Sequence, residues 1–461
     1  MFSCEEIAIG VVVTLSSIGL SQSLTLPIIA QMSLRRLSWT CDPMDVIAAW
    51  PDDRPLMVLH SGRPDRRWGR WSVIAAPRTI VRDLARLQER TGRWIGYLGY
   101  DLGRQFEPAA GGSRRADDRG WPMAEFGWCP DAFLFENASG AWYEAGSPRI
   151  SFDPPRKRSP GSFSAGVLTS SMTPDAYLSA VARTIEYIAA GDIFQANLTY
   201  RLTAPFEGST RRLCLEAMAA SSAWYGAYLE LPGGRCLLSM SPELFLDVDA
   251  ATRRVVTRPI KGTRPATAAP EELLASAKDA AELNMIVDLM RNDLGRVCEL
   301  GSVRVPRART IETYPTVHHG VGEVTGLLRP DVTLLDLLAA TFPAGSITGA
   351  PKIRAMQIID ELEPVGRGPY CGAIGLIGEE RTVLNVAIRT MVLTGERPEG
   401  SWGCLRGLLD YGVGGGIVAD SLPTAEYRET MDKAVILRRV LGRALEVRRP
   451  GRRFDRAAAS R

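Results

Sequence analysis

The stretch Thr257-Arg258-Pro259-Ile260-Lys261-Gly262-Thr263 decides the reading of this chain. A β-prone run, Arg254-Val255-Val256-Thr257, stops at a proline, and a glycine follows the lysine directly. Pro259 has no N–H to give a sheet ladder, and Gly262 tolerates positive φ or a close backbone neighbour. Lys261 is thereby expected on a stiff corner at a strand end, where a site can use it. Composition makes this lysine conspicuous. Among 55 lysines and arginines, the lysines are Lys157, Lys261, Lys278, Lys352 and Lys433. Arginine keeps its charge, whereas a buried lysine amine can lose its proton and act as a nucleophile. Taken alone, Lys261 reads equally as a solvated or salt-bridged lysine.

With 461 residues, 45% hydrophobic and 23% charged, the chain has an ordinary globular make-up and can bury a large core. A net charge of +3 is small for this length, so nothing points to nucleic acid or an anionic membrane surface. Eight cysteines without a Cys-x-x-Cys pair argue against a disulfide frame or zinc site and for a reduced, cytoplasmic setting. Residues 1–31 are expected to be an N-terminal extension. Their apolar run 7–20 is short and follows Glu5 and Glu6 rather than basic residues, and Met32 is the expected start.

Residues 32–145 mix short strand-like runs with Gly/Pro turns and read as the N-terminal part of one fold. Residues 146–172, rich in Gly, Ser, Pro and Arg, predict a loop or linker, and 447–461 a basic tail. The main domain is expected over 173–446. Thr173 as N-cap and Pro174 at the first helical position predict a helix ending at Gly191, with Tyr177, Val181, Ile185 and Ile188 apolar. Alternation over 193–200 predicts a strand. Further helices are expected over about 270–292 and 423–446, with strands near 303–305 and 382–393. Strands and long helices that do not strictly alternate predict an α+β architecture.

Four groups of residues have chemical potential. Asp279 and Glu282 lie three apart on one helix face, as do Glu426 and Glu429, with Lys433 one turn further on. If the pairs meet they make an all-oxygen cradle suited to Mg²⁺; apart, they are helix-surface charge. Gly414-Gly415-Gly416 reads as a turn, either plain or with its N–H groups facing an anion. Glu243 stands between Met240 and Leu244-Phe245, surroundings that would raise a carboxyl pKa towards general-acid use. His318 and His319 are adjacent in a chain with three histidines.

Together these stretches resemble the chorismate-utilising enzymes: anthranilate synthase component I, aminodeoxychorismate synthase component I, and the isochorismate and salicylate synthases. The matching residues are Ser241-Pro242-Glu243, Pro259 to Thr263, Ala281 to Asn284, Val287 to Asp293, Phe342 to Lys352, and Gly414 to Ile417. The resemblance spans 173–440 strongly and 40–145 more weakly, through Arg70-Trp71-Ser72 and Gly96 to Asp101. It implies a β-sandwich core of antiparallel sheets surrounded by helices. It implies a covalent adduct on Lys261, with Glu243 protonating a leaving hydroxyl and His319 nearby. Chorismate would be held by Gln195, Ser346, Tyr370, Arg389, Gly414, Gly416 and Lys433. Mg²⁺ would be held by Glu282 and Glu429, with Asp279 and Glu426 around them.

Lysine in the Pro-Ile-x-Gly-Thr position and glutamine at 195 resemble the aminodeoxychorismate synthase branch, which serves 4-aminobenzoate and folate synthesis. Anthranilate synthase component I, or a non-catalytic regulatory subunit of the same fold, is the alternative. No Gly-x-Cys-x-Gly elbow followed by His-Glu is present, so ammonia is expected from a separate glutamine amidotransferase subunit. The chain departs from the family pattern at Ser346, where threonine is frequent, and at Gly320 and Gly322, where bulkier residues often follow the histidine.

Overall fold

The structure, a computed structural model, describes residues 34–442 except 64, 66, 112–117, 149, 151–158, 315 and 316. The expected extension 1–31, the tail 447–461 and part of the loop 146–172 lie outside the described residues. The strands form two antiparallel sheets, one of 13 strands and one of 10. Residues 34–145 contribute strands to both, Met57–His60 and Trp71–Ala75 to the first and Arg93–Leu98 and Ala124–Trp128 to the second. Within the expected loop, Phe163–Ala165 and Thr169–Ser170 add short strands to the first sheet.

Three apolar cores set the layering. Met57, Val73, Leu229 and Leu237 of the first sheet meet Ile95, Tyr97 and Ile374 of the second, so the sheets face each other across a shared core. The outer face of the first sheet is covered by helices Pro43–Ala49, Pro174–Ala189, Thr210–Ser221 and Val435–Leu441. The outer face of the second is covered by Ala277–Gly295 and Leu334–Thr341. The expected α+β sandwich, sheets inside and helices outside, is what forms.

Two of the places where the chain crosses between the sheets are neighbours. Strand Arg235–Ser241 of the first sheet passes directly into Leu244–Asp249 of the second. Strand Arg381–Val386 of the second passes into Thr390–Glu396 of the first. The crossings are tied together: Val386 N–H donates to Glu243 O at 3.0 Å, and Met240 N–H to Arg389 O at 3.1 Å. A chain leaving one sheet for the other frees its side chains from both ladders, and Glu243 and Arg389 occupy those positions.

Local signals account for several elements. Thr173 Oγ1 accepts from Ala176 N–H at 3.1 Å and Pro174 opens the helix, which ends before Gly191 at φ 83°. The expected 193–200 strand begins at Gln195 and continues to Ser209, because Cys404–Ile417 pairs with it almost throughout. Three expectations are corrected. The helix expected over 270–292 is two, Pro270–Ala275 and Ala277–Gly295, because Ser276 leaves the helical conformation and its hydroxyl caps the second helix at Asp279 N–H. The last helix breaks at Ala434 into Pro423–Lys433 and Val435–Leu441. Gly414-Gly415-Gly416 is not a turn but part of the strand Cys404–Ile417, where side chains would collide with neighbours.

Candidate active site

The site begins at the corner read from the sequence. Arg254–Arg258 and Ile260–Pro265 are separate strands of the second sheet, hinged at Pro259. Against Val317–Leu327, Ile260 pairs with Val321 and Thr263 with His319, so Lys261 and Gly262 together oppose Gly320 alone. This is a bulge, with Gly262 at φ 79°. A Cβ on Gly320 would lie 2.5 Å from the Lys261 carbonyl oxygen, and one on Gly322 would lie 2.7 Å from Val287. The departures at Gly320 and Gly322 thus have a structural reason: the bulge and the helix behind it need the room.

The Lys261 amine reaches across to the first sheet. A Cβ on Gly416 would sit 2.7 Å from Lys261 Nζ and 3.2 Å from Gln195 Nε2. Burial holds the Lys261 pKa below its ordinary value and Lys433 pushes the same way, against the pull of Glu282, Glu243 and Glu429. Gln195 is fully buried, and among the described residues neither its Oε1 nor its Nε2 has a partner. An amide so placed costs free energy unless a ligand completes it.

Glu243 is buried at the first crossing, and that burial pushes its carboxyl up to about 7 against the opposing pull of Ser346, Lys261, the Ile260 backbone and Arg389. At the second crossing Arg389 adopts φ 50° and donates through Nη2 to His319 Nε2 at 3.1 Å. His319 Nδ1 lies 2.9 Å from Thr263 Oγ1, and its ring meets the Tyr314 ring edge-on at 5.0 Å. Tyr370 lies against Gly412, where any side chain would overlap its ring. Past Tyr411 the strand Cys404–Ile417 has a strand partner on one edge only, and on it Gly414 O accepts from Lys433 Nζ at 2.8 Å.

The carboxylates come from helices on the two sheets. Lys278 Nζ lies 3.9 Å from oxygens of both Glu282 and Glu426, so the helix Ala277–Gly295 and the helix Pro423–Lys433 meet here. Glu429 pairs with Lys433 at 2.8 Å, and Lys433 holds its carboxyl below the usual range. Burial pushes Glu282 and Glu426 up, and each is raised further by a neighbouring acid. Asp279 turns towards the corner instead: it packs under Gly262 and accepts from Arg264 at 2.7 Å. Among the described residues no three His, Cys, Asp or Glu side chains close around a metal by themselves. The oxygen-only donors, their mutual repulsion and the lysine between them nevertheless suit a hard divalent cation that takes its other ligands from water and an anionic substrate.

Thr263, Tyr314 and Lys278 were not singled out by sequence reasoning. Lys278 had a visible signal, its four-residue spacing to Glu282; Tyr314 had none.

A family profile described as chorismate binding enzyme matches residues 34–439. The chain is 39% identical to aminodeoxychorismate synthase component 1 of Escherichia coli, covering 82% of this chain and 91% of that protein. It is 37% identical to anthranilate synthase component 1 of Thermus thermophilus, covering 78% and 79%. Among solved structures, anthranilate synthase component I from Streptococcus pneumoniae superposes with a TM-score of 0.64 at 26% identity, covering 91% of this chain and 94% of that one. The menaquinone-specific isochorismate synthase of Escherichia coli shares the fold, with a TM-score of 0.69 at 16% identity, covering 89% and 94%. The chain belongs to the chorismate binding enzyme family. Among the described residues no helix is long and apolar enough to cross a membrane.

Proposed function

We propose that this chain is the chorismate-using component of an aminodeoxychorismate synthase, converting chorismate and ammonia to 4-amino-4-deoxychorismate through an adduct on Lys261. The carrying observation is the Lys261 amine, packed against Gly416 and Gln195, within electrostatic reach of Glu243 and Glu282. Its depressed pKa favours the neutral amine that a nucleophile must be. Glu243, with a pKa of about 7, keeps a proton available near neutrality.

The chemistry is two allylic displacements. The Lys261 amine bonds to C2 of chorismate, both ring double bonds shift along the ring, and the C4–O bond breaks. Glu243 protonates the departing hydroxyl, which leaves as water. Ammonia then bonds to C4, both double bonds shift back, and the C2–N bond breaks, returning its electron pair to Lys261. Glu243 regains its proton from solvent. Arg389, aimed by His319, and Tyr370 would hold the enolpyruvyl carboxylate. Ser346, Lys433 and the backbone of Gly414 and Gly416 would lie on the ring-carboxylate side, and Gln195 would pair with substrate. Mg²⁺, when bound, supplies positive charge for the ring carboxylate; Glu282 and Glu429 would hold it, with Asp279 and Glu426 around them. Ammonia would come from a separate glutamine amidotransferase subunit, and the free cysteines favour a reducing, cytoplasmic setting.

The test is product analysis with purified protein, chorismate, Mg²⁺ and ammonium salt, for wild type and Lys261→Ala. Aminodeoxychorismate from the wild type, lost or diverted in the variant, is expected. Anthranilate from the wild type would overturn the branch assignment.

A further inference from the structure

Tyr177 opens the helix Pro174–Ala189 as part of its apolar face, and its side chain is wholly buried. Its ring packs edge-on against Tyr200 at 5.2 Å and tilted against Tyr427 at 6.0 Å. Packing explains the ring but not the hydroxyl, which is buried without a hydrogen-bond partner among the described residues. A phenylalanine would pack as well and avoid the cost of the orphaned group. The hydroxyl has a direction, however. A Cβ placed on Gly415 would lie 3.2 Å from Glu426 Oε2 and 4.0 Å from both Glu429 Oε1 and the Tyr177 hydroxyl oxygen. Three oxygens therefore converge over one glycine. Glu426 Oε1 already accepts from Ser421 Oγ at 2.7 Å, and Glu429 Oε1 already faces Lys433 Nζ at 2.8 Å. Glu426 Oε2 is the acceptor left for a donor on the Tyr177 side.

We propose that the Tyr177 hydroxyl is a positioning group of the carboxylate cradle, donating to Glu426 Oε2 directly or through one water and so holding that carboxylate towards a divalent cation. The phenol is uncharged and keeps its proton at neutral pH, so it orients the carboxylate without neutralising it. Gly415 completes the arrangement by leaving the point of convergence empty of side chain. This inference rests on the metal reading given above.

The test is Mn²⁺ binding, followed by titration calorimetry, for wild type, Tyr177→Phe and Gly415→Ala, with thermal unfolding of each. Loss of a group that orients a metal ligand is expected to weaken Mn²⁺ binding roughly 10- to 100-fold in Tyr177→Phe. Its unfolding midpoint should stay near that of the wild type, and turnover should return as Mg²⁺ is raised. Gly415→Ala, whose methyl would press on Glu426 Oε2 itself, should weaken Mn²⁺ binding as a check on the cradle, and a Tyr177→Phe variant that fails to fold would make the hydroxyl structural and overturn this inference. Unchanged Mn²⁺ affinity in Tyr177→Phe overturns this inference and leaves the proposed reaction standing. A wild type that binds no Mn²⁺ overturns both this inference and the metal cradle.

Discussion

Arg389 Nη2 donates to His319 Nε2 at 3.1 Å, and a guanidinium has no lone pair to offer in return. His319 Nε2 is therefore unprotonated, so the ring proton sits on Nδ1 and is donated to Thr263 Oγ1, 2.9 Å away. Burial holds the imidazole pKa well below its ordinary value, and Arg389 adds to this. A neutral histidine locked in one tautomer aims Arg389. His319→Ala should raise KM for chorismate roughly 10-fold or more, the worth of a hydrogen bond to a charged group, with a smaller fall in kcat. His319→Gln, which keeps an acceptor and a donor, should recover part of the loss. A fall confined to kcat would instead make His319 a proton donor.

Glu243 must be protonated to act as an acid, so kcat/KM should fall as pH rises through about 7, and Glu243→Gln should abolish that limb with most of the activity. Stability gives an independent reading. The folded pKa lies above the unfolded value of 4.5, so the folded state binds the extra proton between 4.5 and about 7. This contribution is full below 4.5 and is lost as pH rises through about 7, a difference of roughly 3 kcal/mol. Glu243→Gln should therefore become more stable relative to wild type as pH rises across that window. Urea unfolding at several pH values checks the sign.

Gly416→Ala places a methyl group 2.7 Å from Lys261 Nζ and 3.2 Å from Gln195 Nε2. The strand conformation accepts alanine, since Gly416 has no positive φ. The amine must therefore move. Turnover should fall roughly 100-fold, the effect of a misplacement on the order of 1 Å, while the thermal midpoint changes little. Equal activity in Gly416→Ala would mean that the amine is not held at that point during reaction.

Lys352 Nζ pairs with Asp293 at 2.6 Å and donates to Thr341 O at 2.9 Å, tying the helix that carries Glu282 to the helix Lys352–Leu362. Truncating one partner of a buried pair leaves the other charge unpaired. Lys352→Met should cost about 3–5 kcal/mol in denaturant unfolding, and adding Asp293→Leu should recover much of that loss. Additive losses in the double variant would show that the two residues act separately.

Much of the site was legible because its residues sit beside backbone devices that leave a mark in sequence. Pro259 and Gly262 flank Lys261, Pro242 precedes Glu243, and Pro423 marks a helix start near the carboxylates. One misreading came where tertiary contact overrides a local signal. Consecutive glycines are what a turn requires, but they also suit a strand crowded by Leu198, Glu426 and Lys261.

The sequence by itself determined the stiff corner at Lys261, the helix start at Thr173 and the supply of acids, because each depends on residues within one or two turns. Only the tertiary structure decided which of them meet. Gln195 and Gly416 come together because their strands pair in one register, Asn197 opposite Gly416 and Thr199 opposite Gly414. A shift of one residue would turn every side chain on that strand to the other face. Glu243 and Arg389 become neighbours because two crossings between sheets are bonded side by side. That register and that pairing come from packing two sheets over a shared core, which no short stretch of the chain encodes.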